Sequence, residues 1–202
     1  LLSARAAEGV KPITLELGGH GPVLVFDDAD VERAAVEGAA NRFRGTGQVC
    51  PLANARQLAK IEALVADARE RGATLLAGGR RIEGEGFFFE PTVLADVPPE
   101  ARVMHEEPFG PIAVLMPFDT LEDGLAEANR LPYGLSAYAF TASARTALDV
   151  GDGLEAGMIG INQYRIVATE LPFGGLKESG HGSEGGAEGI EPYLTRKFIS
   201  QA

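Results

Sequence analysis

Apolar and polar positions recur with two different periods along this chain, and the switches between them mark out its elements. Residues 1–10 mix Ala and Leu in a helical pattern that stops near Gly9. Lys11 and Pro12 lead into Ile13-Thr14-Leu15-Glu16-Leu17, whose alternation predicts a short strand closed by Gly18 and Gly19. Residues 23–26 form an apolar run with β-branched content. Asp27, Asp28 and Asp30 then supply the cap and acidic first turn of a helix with Val31, Ala34, Ala35 and Ala39 on one face. Leu58, Ile61, Val65 and Ala68 predict a further helix ending at Gly72, followed by a strand over 74–77. Residues 78–86 read as a polar, glycine-rich connection. Residues 87–94 read as extended, with three adjacent phenylalanines expected to serve core and sheet packing. A strand over 112–118 precedes a helix that Thr120 and Asp123 open like a capping box and that runs to about Asn129. Strands over 135–140 and 158–162 flank a helix over 144–154. Strands alternating with helices predict an α/β architecture, a mostly parallel sheet flanked by helices.

Composition narrows the function classes. Among 202 residues, 18 basic and 29 acidic side chains leave a net charge of −11, which would repel a nucleic-acid backbone. Hydrophobic content of 45% is ordinary for a globular protein. One cysteine excludes an internal disulfide framework and fits a reducing, cytoplasmic setting, and no run reaches the length of a membrane span. His20, His105 and His181 are scattered without ligand spacing, so no metal site is expected. The chain opens on Leu1 rather than Met, which makes a fragment of a longer protein the expectation.

Candidate chemistry concentrates in residues 41–50, NRFRGTGQVC, which end on the single cysteine, Cys50. A thiol is a nucleophile as thiolate. Gly45 and Gly47 would let backbone N–H groups approach it, and Arg42 and Arg44 are cations of the kind that favour the charged form. The competing reading of a lone cysteine is a small buried hydrophobe. Glu16, flanked by Leu15 and Leu17 beside two glycines, is either a solvent-facing strand position or a general base. Gly180, Gly182 and Gly185 satisfy G-x-G-x-x-G, but the preceding PFGGLKES is no buried strand, so they are read as a tight loop rather than a phosphate cradle.

ITLELGG, FRGTGQVC, EEPFGP and LPFGGLKESGHGSEGG occur in an order and character that resemble the aldehyde dehydrogenase superfamily over nearly the whole chain. The resemblance implies oxidation of a small-molecule aldehyde with NAD or NADP. Cys50 adds to the carbonyl carbon, hydride leaves for the nicotinamide, and water activated by Glu16 hydrolyses the thioester. It further implies that Glu107 binds the nicotinamide-side ribose hydroxyls, that Phe109 borders the nicotinamide, and that Phe173 borders the substrate channel. Read alone, Glu107 is a surface acid and Phe109 a core aromatic. Arg44, six residues before Cys50, and the YLTRKF ending resemble the succinate-semialdehyde dehydrogenase branch, where such an arginine holds the distal carboxylate. Ala168 stands where that branch commonly places a hydroxyl partner, with Arg165 and Thr169 nearby as substitutes.

By the same resemblance, residues 1–17 are the tail of the cofactor domain, 18–185 the catalytic domain, and 186–202 a C-terminal segment whose stretch 193–199 is a pairing strand of a homo-oligomer. Relatives run several dozen residues, a strand and a helix, between the cysteine and the segment resembling PLANARQLAKIEALV, whereas here Pro51 follows Cys50 directly. That junction is expected to leave unpaired sheet edges. The oxyanion-site asparagine would lie upstream, and losing one such donor costs about a hundred- to a thousandfold in rate. The chain alone is therefore expected to turn over poorly, and the alternative reading is an inactive remnant with a structural or oligomerisation role.

Overall fold

A computed structural model describes residues 1–43 and 52–202. Cys50 and Arg44 lie outside the described residues. The described elements are α/β, and the parallel pairing is split between two three-stranded sheets.

The first sheet joins β2 (Val23–Val25), β9 (Ser136–Phe140) and β10 (Met158–Ile161) in the order β10-β9-β2, all parallel. Parallel neighbours need crossover helices, and α4 (Leu121–Asn129) and α5 (Ala144–Gly153) supply them. Both start as the sequence predicts. Thr120 Oγ1 accepts from the Asp123 N–H at 3.1 Å, and Ser143 Oγ accepts from the Thr146 N–H at 3.1 Å. Leu24, Ala137, Ala139, Val150 and Leu154 form the core beneath these helices, with Phe26 and Phe118 in edge-to-face contact at 5.4 Å along its border.

The second sheet has the order β3-β6-β7: β3 (Thr74–Ala77) runs antiparallel to β6 (Thr92–Ala95), which is parallel to β7 (Ile112–Leu115). Helix α3 (Ala55–Glu70) covers it with Leu58, Ile61, Leu64, Val65 and Ala68, all buried. Each large apolar side chain so buried stabilises by about 1.5–3 kcal/mol. Asn54 Oδ1 caps α3 by accepting from the Gln57 N–H at 3.0 Å, and Gln57 Oε1 accepts in return from the Ala53 N–H at 2.8 Å. Among the described residues two separate core clusters result, one per three-stranded sheet.

Several expectations change. Helix α2 (Val31–Arg42), capped by Asp30, buries only Ala34 of its predicted face, and Val31, Ala35 and Ala39 stay exposed. Phe89 is core, but Phe87 and Phe88 are 39% and 45% exposed. Only β5 (Phe88–Phe89) of that run pairs with β4 (Arg81–Ile82), so alternation sends one ring inward and the next out. The first helix is α1 (Leu2–Glu8). The strand over 13–17 shrinks to β1 (Leu15–Glu16), and the strand over 112–118 to four residues, because Pro117 cannot continue a ladder. Residues 193–199 pair with no strand among the described residues: a single 3₁₀ turn, Glu191–Tyr193, precedes an exposed extended end.

Thr92 is fully buried, and its hydroxyl donates to the Glu90 carbonyl at 2.7 Å while accepting from the Gly79 N–H at 2.9 Å. Thr92→Val keeps the shape and orphans both partners, so it is expected to destabilise by about 1–3 kcal/mol. A urea titration checks this, and an unchanged midpoint would contradict it.

Candidate active site

The site is built on a two-residue ladder. β12 (Gly180–His181) runs antiparallel to β1, pairing Leu15 with His181 and Glu16 with Gly180, and the Leu17 N–H donates to the Ser179 carbonyl at 3.0 Å. Gly180 has φ +153°, and a Cβ there would stand 2.1 Å from the Leu15 carbonyl oxygen. Only glycine lets the two strands close. No α-helix follows this loop among the described residues, so Gly180, Gly182 and Gly185 shape a turn that carries Glu16. Ser179 is fully buried behind it, and its Oγ accepts from the Gly134 N–H at 2.9 Å, tying the loop to β8 (Tyr133–Gly134).

Glu16 is exposed at the end of β1, and Gly18 and Gly19 follow. There the chain meets Glu107, 88 positions away: the Gly19 N–H reaches Glu107 Oε1 at 3.4 Å. Gly18 adopts φ +80°, and a Cβ on it would lie 3.1 Å from both carboxylate oxygens. The glycine pair thus makes room for the acid beside the strand that bears Glu16. A carboxylate offers about four lone-pair sites, and this contact engages one of them. Acceptor capacity of that kind suits a pair of sugar hydroxyls, so the residues fit the nicotinamide-side ribose of NAD(P). Phe109 is 38% exposed, which makes it a surface ring rather than a core aromatic, two residues from Glu107.

Two cations fix the Glu107–Phe109 turn. Arg42, the last residue of α2, donates through Nη2 to the Pro108 carbonyl at 2.9 Å and the Gly110 carbonyl at 2.6 Å, and through Nε to the Ile112 carbonyl at 2.7 Å. Lys60 on α3 donates to the Glu107 carbonyl at 3.0 Å and stands 3.8 Å from Glu106. The sequence points to Arg42 only as a neighbour of the thiol and gives no sign of Lys60. These bonds span 47 to 70 positions, and no local motif announces them. His20, next to Gly19, places Nε2 at 3.0 Å from the Val103 carbonyl. A carbonyl can only accept, so Nε2 carries the proton. Burial lowers the His20 pKa below its ordinary value, the Val103 bond opposes that, and the positive charges of Arg42 and Arg130 add to the lowering.

Of the remaining predicted residues, Phe173 is half-buried and exchanges two backbone hydrogen bonds of 2.7 Å with Glu184. It is not linked to Glu107 by any hydrogen bond among the described residues. Glu107 is thus brought to the Gly18–Gly19 pair that follows Glu16 in the chain, and Phe109 lies two residues on from Glu107. Among the described residues, no group of three His, Cys, Asp or Glu side chains could hold a metal ion, and no helix is long and apolar enough to cross a membrane.

Comparison with known proteins gives this geometry a context. The profile of the Aldehyde dehydrogenase family matches residues 1–50 and, separately, 51–199. The chain is 39% identical to 4-(hydroxymethyl)benzenesulfonate dehydrogenase TsaD1 of Comamonas testosteroni over 237 residues, covering 98% of this chain and 49% of that protein. It is 38% identical to the succinate-semialdehyde dehydrogenase [NADP(+)] GabD of Escherichia coli over 239 residues, with the same coverages. An aldehyde dehydrogenase of Bacillus cereus, solved as an NAD+ complex, superposes with a TM-score of 0.89 at 31% identity, covering 95% of this chain and 47% of that one. The chain spans about half the length of the curated relatives it matches. Alignments of 237 and 239 positions exceed the 202 residues available, so these relatives carry at least 35 positions that this chain lacks.

Arg42→Met removes three charge-assisted hydrogen bonds and is expected to destabilise by about 2–3 kcal/mol, with faster amide exchange at Phe109 and Ile112. Equal exchange in variant and parent would exclude the clamp. For His20 the depressed folded-state value means that the unfolded chain binds a proton more readily. Its contribution is therefore intact above about pH 6.5 and is lost as pH falls through the folded value. His20→Gln is expected to flatten the fall in urea midpoint between about pH 7.5 and pH 5, and parallel pH profiles would refute it.

Proposed function

The chain belongs to the aldehyde dehydrogenase family, and from that premise we propose that it is the catalytic part of an NAD(P)-dependent dehydrogenase acting on a carboxylated semialdehyde. In this reading the Cys50 thiolate adds to the aldehyde carbon, which gives a thiohemiacetal whose hydride leaves. The bound nicotinamide supplies the hydride acceptor. Glu16 takes the proton of the water that hydrolyses the resulting thioester, returning Cys50 and releasing the acid. Glu107 holds the ribose hydroxyls, Phe109 borders the nicotinamide, and Phe173 borders the substrate channel. Arg44 takes the distal carboxylate in a bidentate grip. We place the domain limits at 1–17, 18–185 and 186–202, the setting in the cytoplasm, and the assembly as a homo-oligomer through residues 193–199.

The observation that supports this reading is the packing of the Glu107 carboxylate against Gly18 and Gly19, the pair that begins two positions after Glu16 at its strand end. Sequence proximity gives Glu107 no reason to meet that glycine pair, 88 positions from Gly19. The comparisons add support for an anionic substrate, since TsaD1 and GabD are named for a sulfonate and for a semialdehyde of a dicarboxylic acid. One observation favours a second reading, a catalytically inactive remnant: the family match breaks between residues 50 and 51, where Pro51 follows the nucleophile at once.

Alkylation of Cys50 by iodoacetamide at neutral pH, followed by mass spectrometry, separates the two. A free thiol with pKa near 8.5 is only a few per cent thiolate at pH 7, so an activated Cys50 is expected to react about tenfold faster than free cysteine. Succinate semialdehyde should protect it better than butyraldehyde, and Arg44→Ala should erase that preference. Reaction no faster than free cysteine, without protection by either aldehyde, would leave the remnant reading standing.

A further inference from the structure

Each of the two sheets leaves one strand of its parallel pair at an edge, β2 in the first and β7 in the second. In the first sheet, the Tyr138 N–H donates to the Pro22 carbonyl and the Phe26 N–H to the Phe140 carbonyl. Alternation then directs the N–H and carbonyl of Leu24 toward β9 and turns the backbone groups of Val23 and Val25 away from it. In the second sheet, the Thr92 N–H donates to the Pro111 carbonyl, which by the same alternation turns the backbone groups of Ile112 and Val114 away from β6. Among the described residues, neither edge pairs with a further strand.

Side-chain contacts link the segments that flank the two edges. His20, three residues before β2, bonds the carbonyl of Val103, nine residues before β7, and Arg42, at the end of α2, bonds the Gly110 and Ile112 carbonyls at the start of β7. At their ends, Phe26, next after β2, meets Phe118, three residues beyond β7, at 5.4 Å. The ring contact therefore ties the end of β2 to the stretch that follows β7. Helix α2 leaves β2 as the first two parts of a β-α-β unit, and such a crossover returns a parallel strand to the same sheet. Arg42 brings the end of α2 to the start of β7. Val23 on β2, Leu115 at the end of β7 and Met116 after it are exposed, as are Val31, Ala35 and Ala39 on α2. The family match breaks after residue 50, eight positions past Arg42, and TsaD1 and GabD carry at least 35 further positions than this chain can align.

We propose that the edges of β2 and β7 form a strand-wide slot that binds an extended apolar peptide parallel to both. The occupant is a segment of the kind that relatives carry between the positions matching Cys50 and Pro51, here supplied as a separate chain. A strand buried between two parallel neighbours reads as a nearly continuous apolar run, which defines the ligand's chemistry. Its backbone would take up the outward groups of Val23, Val25 and Val114, and its side chains would join the two cores. This inference uses the sheet topology and the family match, and it stands whether or not Cys50 is catalytic.

The probe is a synthetic peptide with the sequence that GabD of Escherichia coli carries at that position, added to the full 202-residue chain labelled for NMR. Amide exchange at Val23, Val25 and Val114 is expected to slow by about tenfold or more on addition. The same peptide N-methylated at alternate backbone nitrogens loses ladder donors without touching the protein, and it should give no protection, as should a scrambled peptide. No protection by the native peptide at saturating concentration overturns the proposal, and so does equal protection by the methylated or scrambled forms. Slow exchange at these amides in the chain alone also overturns it, because the slot is then already filled, by a second copy if the protection grows with protein concentration.

Discussion

Arg42 ties the end of α2 to the turn that carries Glu107 and Phe109. Its guanidinium sits at the end of α2, on the first stretch of chain, and spends its donors on three carbonyls of residues 108–112, on the second. A carbonyl oxygen has two lone pairs, and a planar fork with fixed N–H directions can serve several carbonyls at once. Lys60 completes the restraint from α3. The turn bearing Glu107 and Phe109 is thereby positioned from two helices rather than by its own sequence, and the acid's distance from Gly18 and Gly19 follows from where those helices pack.

The other half of the site depends on the absence of side chains. Gly180 lets β12 lie against β1, and Gly18 leaves room for the Glu107 carboxylate. Ser179 answers the Gly134 N–H from inside the same loop. The loop rich in glycine thus has a steric task in carrying Glu16, and its resemblance to a phosphate-binding pattern is one of spelling.

Much of the fold is legible in the sequence, because caps and periodicity act locally. Asp30, Asn54, Thr120 and Ser143 each accept from a backbone N–H three residues on, and the apolar spacing of α3 identifies the face that packs. What escapes depends on partners distant in sequence. The run of three phenylalanines gives no sign of which ring will face inward, since that follows from the register of β5 on β4. The face of α2 is periodic yet mostly bare, because a helix stripe is buried only where a sheet lies beneath it. In the site, Glu16 and Glu107 stand out within motifs, whereas Arg42 and Lys60 require the fold to bring carbonyls to them.

The end of the chain has a consequence for how copies of the protein meet in solution. Tyr193, Phe198 and Ile199 are 81%, 90% and 79% exposed, and a sticky segment of that kind draws molecules together at short range. A net charge of −11 pushes them apart at longer range. The range of that repulsion is set by the ions around it, about 30 Å in 0.01 M salt and about 3 Å in 1 M. Ionic strength therefore acts on this protein as a control of colloidal behaviour: dilute buffer keeps the tails out of one another's reach, and concentrated salt lets them touch.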